Sequence, residues 1–256
     1  MTAVARLIRG VALALVVTAI VTTPAAAQKL GWSGSAEGSG SIFFGNTSQW
    51  LIAAHTNGTH VDSSLEVHGE ARAAYAKSKT DSGTSVLSSR SWMASFGLDY
   101  HPFDRLSPFF SGSIESSFEQ RIHRRYSAGL GTKLIIAHDS LTNFDLSLAV
   151  LGERTEATDP SVDLGVPASR VRYSWRIRAE RRLAERIKIS HSTLYQPSAA
   201  EMSVFTLNSS TSLGIDLNST LTLTFTAEDN YDSEARSRGA RNNNNGRLLL
   251  GLRASY

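Results

Sequence analysis

The chain is 256 residues long, with 26 Lys+Arg against 23 Asp+Glu, 19 Gly, 8% aromatic residues and no cysteine. That length holds one large domain or two small ones, enough for a sizeable core or a closed barrel. The missing cysteine excludes thiol catalysis, disulfides, Cys-ligated zinc, iron–sulfur clusters and a lipidated N-terminal cysteine.

The first element is a targeting segment. Arg6 and Arg9 precede an apolar stretch over 11–21, and Ala25, Ala26 and Ala27 follow Pro24. A basic start, a short apolar core and an A-x-A site predict a secretory signal peptide over 1–27, cleaved before Gln28. Eleven apolar residues fall short of the ~20 that span a bilayer as a helix. Cleavage removes two arginines and no acid, which leaves 24 positive against 23 negative charges. The net charge of +3 on the full chain is therefore no signature of a nucleic-acid partner.

The mature chain, 28–256, alternates with period two, the signature of half-buried strands. The first strand sets Trp32, Ala36, Ile42 and Phe44 against Ser33, Ser35, Glu37, Ser39 and Ser41. A second lies around 50–54. In a third, Leu65, Val67 and Tyr75 alternate with Glu66, His68, Glu70 and Arg72. A fourth carries Trp92, Phe96, Leu98 and Tyr100, a fifth Phe110, Ile114 and Phe118, and a sixth Tyr126, Leu130, Leu134 and Ile136. A seventh carries Leu146, Leu148 and Val150. The eighth is the sharpest: Val171, Tyr173, Trp175 and Ile177 against Arg170, Arg172, Arg176 and Arg178. On a helix those arginines would circle the cylinder; on a strand they share one face. Strands marked by Ile187, Ile189 and Tyr195, by Leu207 and Leu213, by Leu223 and Phe225, and by Leu248, Leu250 and Leu252 bring the total to twelve.

Compact breaks at Asn57-Gly58, 102–105, 138–140, 184–186 and 216–219 are predicted turns. The connections over 153–169 and 232–246 are longer. Short turns on one side and longer loops on the other predict an all-β fold: a single antiparallel transmembrane barrel of an outer membrane. Tyr256 ends the last strand on an aromatic residue, as expected where assembly machinery reads that strand. A packed, soluble periplasmic β-sandwich is the competing architecture.

In a barrel the apolar parity meets lipid and the polar parity meets the lumen. Trp32, Trp92, Tyr100, Trp175, Tyr195 and Tyr256 are then the candidate lipid-facing girdle. The candidate lumen-lining residues are Glu66, Glu70 and Arg72 on the third strand and Glu115 and Glu119 on the fifth. Arg170, Arg172, Arg176 and Arg178 join them from the eighth. Such walls hold either an ion-pair lattice or a narrow pore with a mild preference for anions. Arg121, Arg124 and Arg125, at the fifth connection, either meet lipopolysaccharide phosphates or stand in water.

A search for chemistry finds little. His55-Thr56-Asn57-Gly58 has no serine where a Ser–His hydrolase needs one, and His191 with Thr193 shares a lipid-facing parity. The seven histidines show no helical metal pair, and no cofactor is implied. Gly129 and Gly131 suit close strand approach better than a phosphate loop. A non-enzymatic envelope protein or pore is expected, with a barrel hydrolase of lipase or deacylase type as the alternative.

Four segments in order, Trp32 with the Gly45-Asn46-Thr47 turn, FEQRIHRRYSAGLGTKL over 118–134, HSTLYQP over 191–197 and DNYDS over 229–233, carry a family resemblance. The chain resembles the YdiY-like family of bacterial outer-membrane proteins. The resemblance implies an outer-membrane barrel of the kind called salt-induced, with no catalytic residues to transfer. Outer-membrane lipid, lipopolysaccharide and the barrel-assembly machinery are the implied partners. The segment over 234–246, basic and Asn-rich here, departs from that family's proline-rich run.

Overall fold

The computed structural model describes residues 31–43, 49–79, 84–158 and 168–256. The signal peptide and the Gly45-Asn46-Thr47 turn lie outside the described residues, as does most of the connection after the seventh strand.

Among the described residues the chain forms twelve strands: β1 (Gly31–Phe43), β2 (Gln49–Val61), β3 (Leu65–Lys79), β4 (Ser85–Tyr100), β5 (Leu106–Ser117) and β6 (Ile122–His138), then β7 (Thr142–Ala157), β8 (Ser169–Ala184), β9 (Ile187–Pro197), β10 (Phe205–Asp216), β11 (Leu221–Asp232) and β12 (Asn244–Ser255). Each strand pairs antiparallel with its neighbours in sequence, and β1 pairs with β12 to close a barrel. Closure leaves no strand edge unpaired. At the seam, Gly34 and Tyr256 exchange backbone hydrogen bonds of 3.2 and 3.1 Å. A side chain at Gly34 would strike the Tyr256 hydroxyl at 2.5 Å, so the glycine makes room for the terminal ring.

The two parities separate as alternation requires. Leu130 and Leu248, each 68% exposed, stand on the outer wall beside Trp175, Leu148 and Phe225. A sandwich would bury these residues; here they form a lipid-facing belt. Contacts that skip over strands show which side is the lumen. Arg125 on β6 reaches Asp232 on β11, and Arg247 on β12 reaches Ser89 on β4. Inside, Gly129 and Gly131 let β6 crowd β7, because a Cβ at either would fall within 2.3 Å of a β7 carbonyl.

Connections at the end where β1 begins and β12 finishes are two to five residues long, whereas three at the other end have seven to eleven. Three of the short turns share one device. The side-chain oxygens of Asp62, Asp139 and Asn218 each accept two backbone N–H bonds of 2.7 to 2.8 Å from the next residues but one and two. In Asp62 the donors Ser64 and Leu65 hold the carboxyl below the usual carboxylate range.

One turn is not where the dipeptide signal predicts it. Asn57-Gly58 lies within β2, opposite Ser35 and Gly34, and the chain reverses at 62–64. Thr59, His60 and Val61 carry the ladder on, and Asp62 supplies the turn chemistry that Asn-Gly does not.

Candidate functional site: the barrel lumen

The lumen has two zones. At the long-loop end lies a compact charge lattice. Arg125 bonds Glu115 at 2.9 Å and Asp232 at 2.7 Å, with Glu153 3.7 Å away, and donates to Thr155 at 3.1 Å. Arg172, only 1% exposed, pairs with Glu153 at 2.7 Å and donates to the Gln196 carbonyl at 2.8 Å. Arg170 pairs with Glu234 at 3.0 Å and lies 3.7 Å from Glu153. Arg238 pairs with Asp232 and donates to the Gln120 carbonyl at 3.1 Å. Four guanidinium groups meet four carboxylates, so the lattice carries no net charge. Deep burial of ions is tolerated only with such pairing.

Part of this lattice comes from the connection between β11 and β12. Residues 233–243 fold across the mouth as a strap, reaching β8 and the β5–β6 turn on the opposite wall. Asp232 caps the turn by accepting the Glu234 N–H at 3.0 Å. Gly239, at φ +84°, ends it in the left-handed region, with the Ala240 N–H on the Ala235 carbonyl at 2.9 Å. Asn243 completes the strap by accepting the Arg236 N–H and donating to the Ser233 carbonyl. Burial lowers the Arg238 guanidinium from its ordinary value, with Asp232 opposing the shift.

Deeper in, pairing thins. Arg72, Arg176 and Arg178 stand on the inward parity of β3 and β8, and among the described residues none has a carboxylate within 4 Å. Arg72 donates to the Met93 sulfur at 3.2 Å. Arg178 lies directly across from Asp145 in register without bonding it, and is exposed to the lumenal space. Arg176 feels Glu70 and Asp99 from the facing wall. The carboxylates here have other company: Glu70 lies 3.4 Å from His55, Glu66 lies 3.7 Å from His68, and Asp99 pairs with Lys133. At the seam, Glu37 takes Arg253 at 2.7 Å and the Thr224 hydroxyl at 2.8 Å.

Several sequence expectations change. Glu119 lies in the β5–β6 turn rather than on β5, and from there pairs with Arg247 at 2.6 Å. Arg125 neither faces lipopolysaccharide nor stands in water: it is 7% exposed, on the inner wall of β6. Arg124 points the other way and is exposed, and Arg121 lies in the turn over the Phe118 ring. Glu153 belongs to β7, not to the connection after it. Lattice members Glu153, Asp232, Glu234 and Arg238 are not evident from the alternation.

The girdle candidates fall on the outward parity. Trp32, Tyr100 and Tyr256 lie at the short-turn end, and Trp92 and Trp175 toward the other. Tyr195 joins a ring series there, with Trp175 at 5.4 Å and Phe205 at 5.3 Å between centroids. His191 faces outward as well, its two nitrogens 2.9 and 2.8 Å from the hydroxyls of Thr211 and Thr193.

A family model described as "Protein of unknown function, DUF481" matches residues 36–256. The chain belongs to this family. No curated protein matches the DUF481 chain in sequence. In structure it is similar to the NanC porin, with a TM-score of 0.51 at 9% identity, covering 86% of this chain and 98% of that one. It is also similar to the KdgM porin, at 0.45 and 10%, covering 88% and 99%. An outer membrane channel from Pseudomonas putida F1 matches at 0.49 and 11%, covering 91% and 98%. At such identities the likeness is one of fold. With the closed barrel and the apolar belt, the likeness to the NanC porin makes this DUF481 protein an outer-membrane β-barrel of porin-like fold.

Proposed function

We propose that the protein is a narrow outer-membrane pore that prefers small anions, with the 233–243 strap narrowing its outer mouth. The observation that carries this is the contrast between charge states in the inner lumen. The carboxylates there lie beside a histidine or a lysine, apart from Glu37 beside Arg253 and from Asp145 and Glu228, while among the described residues Arg72, Arg176 and Arg178 have no carboxylate within 4 Å. Cationic side chains left free in a wet lumen favour anions over cations. The hydrolase reading fares worse: His55 has Glu70 beside it and no serine hydroxyl, and His191 meets only threonines on the lipid-facing wall. The ordered segments of the YdiY-like resemblance support an envelope role of this kind, tied to osmotic conditions.

Planar-bilayer recording of the purified protein tests the pore. Discrete conductance steps with a reversal potential on the anion side are expected, moved toward cations by Arg176→Glu. Absence of steps, or a selectivity indifferent to that substitution, contradicts the reading.

A further inference from the structure

The outer wall of the barrel is not uniformly bulky. Across β4 to β8 one cross-strand row runs Phe96, Gly112, Ala128, Gly152, Val171, so three adjacent positions carry a methyl group or less. The row beneath it, through Leu98, Phe110, Leu130, Val150 and Tyr173, is large throughout. The small row and the row above it, through Ala94, Ile114, Tyr126, Arg154 and Ser169, line an open apolar groove of about 1020 Å³, with the bulky lower row as its sill. Its shape depends on the glycines. A Cβ at Gly112 would lie 2.6 Å from the Phe96 ring, so that ring leans over the floor, whereas Gly152 has open space above it.

The groove has a polar end, on the long-loop side. Arg154 is one of its lining residues, opposite Tyr126 in register. Its side chain is 66% exposed and meets Glu156 only at 3.7 Å. Arg124, one row further out on the same outward parity, is exposed too, with Glu156 directly across from it, so two guanidinium groups outnumber one carboxylate at this end. Trp92 marks the bilayer interface at that same row, opposite Ser116. An apolar slot in the outer leaflet, topped at the interface by two guanidinium groups, matches an amphiphile with acyl chains and a phosphorylated head.

We infer that this groove is a fixed docking site for a phosphorylated glycolipid of the outer leaflet, of lipid A type. One acyl chain lies over Gly112, Ala128 and Gly152, and its phosphate is held by Arg154 and Arg124. The site is on the wall opposite the solute path and does not depend on whether the lumen conducts.

The test is native mass spectrometry of the detergent-purified, folded protein given lipid A and phosphatidylethanolamine in equal amounts. The wild type is expected to retain one lipid A molecule. Gly152→Leu, which fills the floor where there is room, and Arg124→Glu with Arg154→Glu, which reverses the head contact, are each expected to lower that occupancy about tenfold or more. Gly58→Leu, at an outward glycine of β2 with open space and outside the groove, leaves it unchanged. A heat-dependent gel shift confirms that each variant is folded. Equal retention in all four proteins, retention of phosphatidylethanolamine instead, or no bound lipid on the wild type overturns the inference.

Discussion

Arg170 and Arg172 share a strand, a parity and a residue type with Arg176 and Arg178, yet the two pairs do different work. The first pair is locked among Glu153 and Glu234 at the outer mouth. The second pair, two to four periods of alternation deeper, has no carboxylate within bonding distance among the described residues. Period two places all four side chains in the lumen; the partners supplied by the adjacent strand β7 and by the strap then separate a paired zone from an unpaired one. A charged side chain in a barrel therefore acquires its role from the partners that the neighbouring strand and the strap present to it.

The largest expected effect follows from breaking the scaffold half. Glu153→Gln removes a carboxylate shared by Arg125, Arg170 and Arg172, and leaves Arg172 buried without its charge partner. Loss of one member of a buried pair costs about 3–5 kcal/mol, so the folded band on an unheated denaturing gel should convert at markedly lower temperature. Arg178→Gln, in the unpaired zone, should leave that conversion nearly unchanged. If the two substitutions destabilise equally, the division of the lumen is wrong.

Next comes the strap. Arg238→Ala cuts its ties to Asp232 and the Gln120 carbonyl, and the unit conductance should rise as the mouth widens. A smaller effect belongs to Gly239→Ala, which forces a side chain into the left-handed region at a cost of about 1 kcal/mol. It should loosen the strap, seen as faster amide exchange at Ala240, without changing selectivity.

The smallest effect concerns the short turns far from either zone. Asp62 has a lowered folded pKa, so its contribution is present above the unfolded value and disappears as pH falls through the folded one. Amide exchange at Ser64 and Leu65 should therefore accelerate, relative to the intrinsic rate, only in acid well below the usual aspartate value of about 3.9. The Asn218 turn, which has the same geometry and no titrating group, should show no such step.

Most of the barrel was legible in the residues because lipid imposes a strict rule on one parity. Wherever the outward positions are apolar, as in Val171, Tyr173, Trp175 and Ile177, strand, face and lumenal set follow together. The rule falls silent where strands rise above the bilayer. Beyond Tyr126 and Gly152 the outward positions become Arg124, Arg154 and Glu156, polar on both faces. The pattern alone therefore places Arg125 and Glu153 in connections, although both strands continue past them. The strap's role was equally hidden, since Asp232 and Arg238 meet Arg125 and Gln120 more than a hundred residues away in sequence. Nothing local marks such a contact. At Asn57-Gly58 the opposite error arose, a strong local turn signal overruled by the ladder on both sides.

On the proposed pore reading, the inner-lumen arginines that have no carboxylate within 4 Å among the described residues, and not the lattice at the mouth, set what passes. The most direct measurement is the reversal potential of single channels in a potassium chloride gradient, for the wild type and for Arg176→Glu with Arg178→Glu. The account predicts anion preference in the wild type and a change of sign in the variant, with the folded band intact. A folded variant whose reversal potential equals that of the wild type would contradict it.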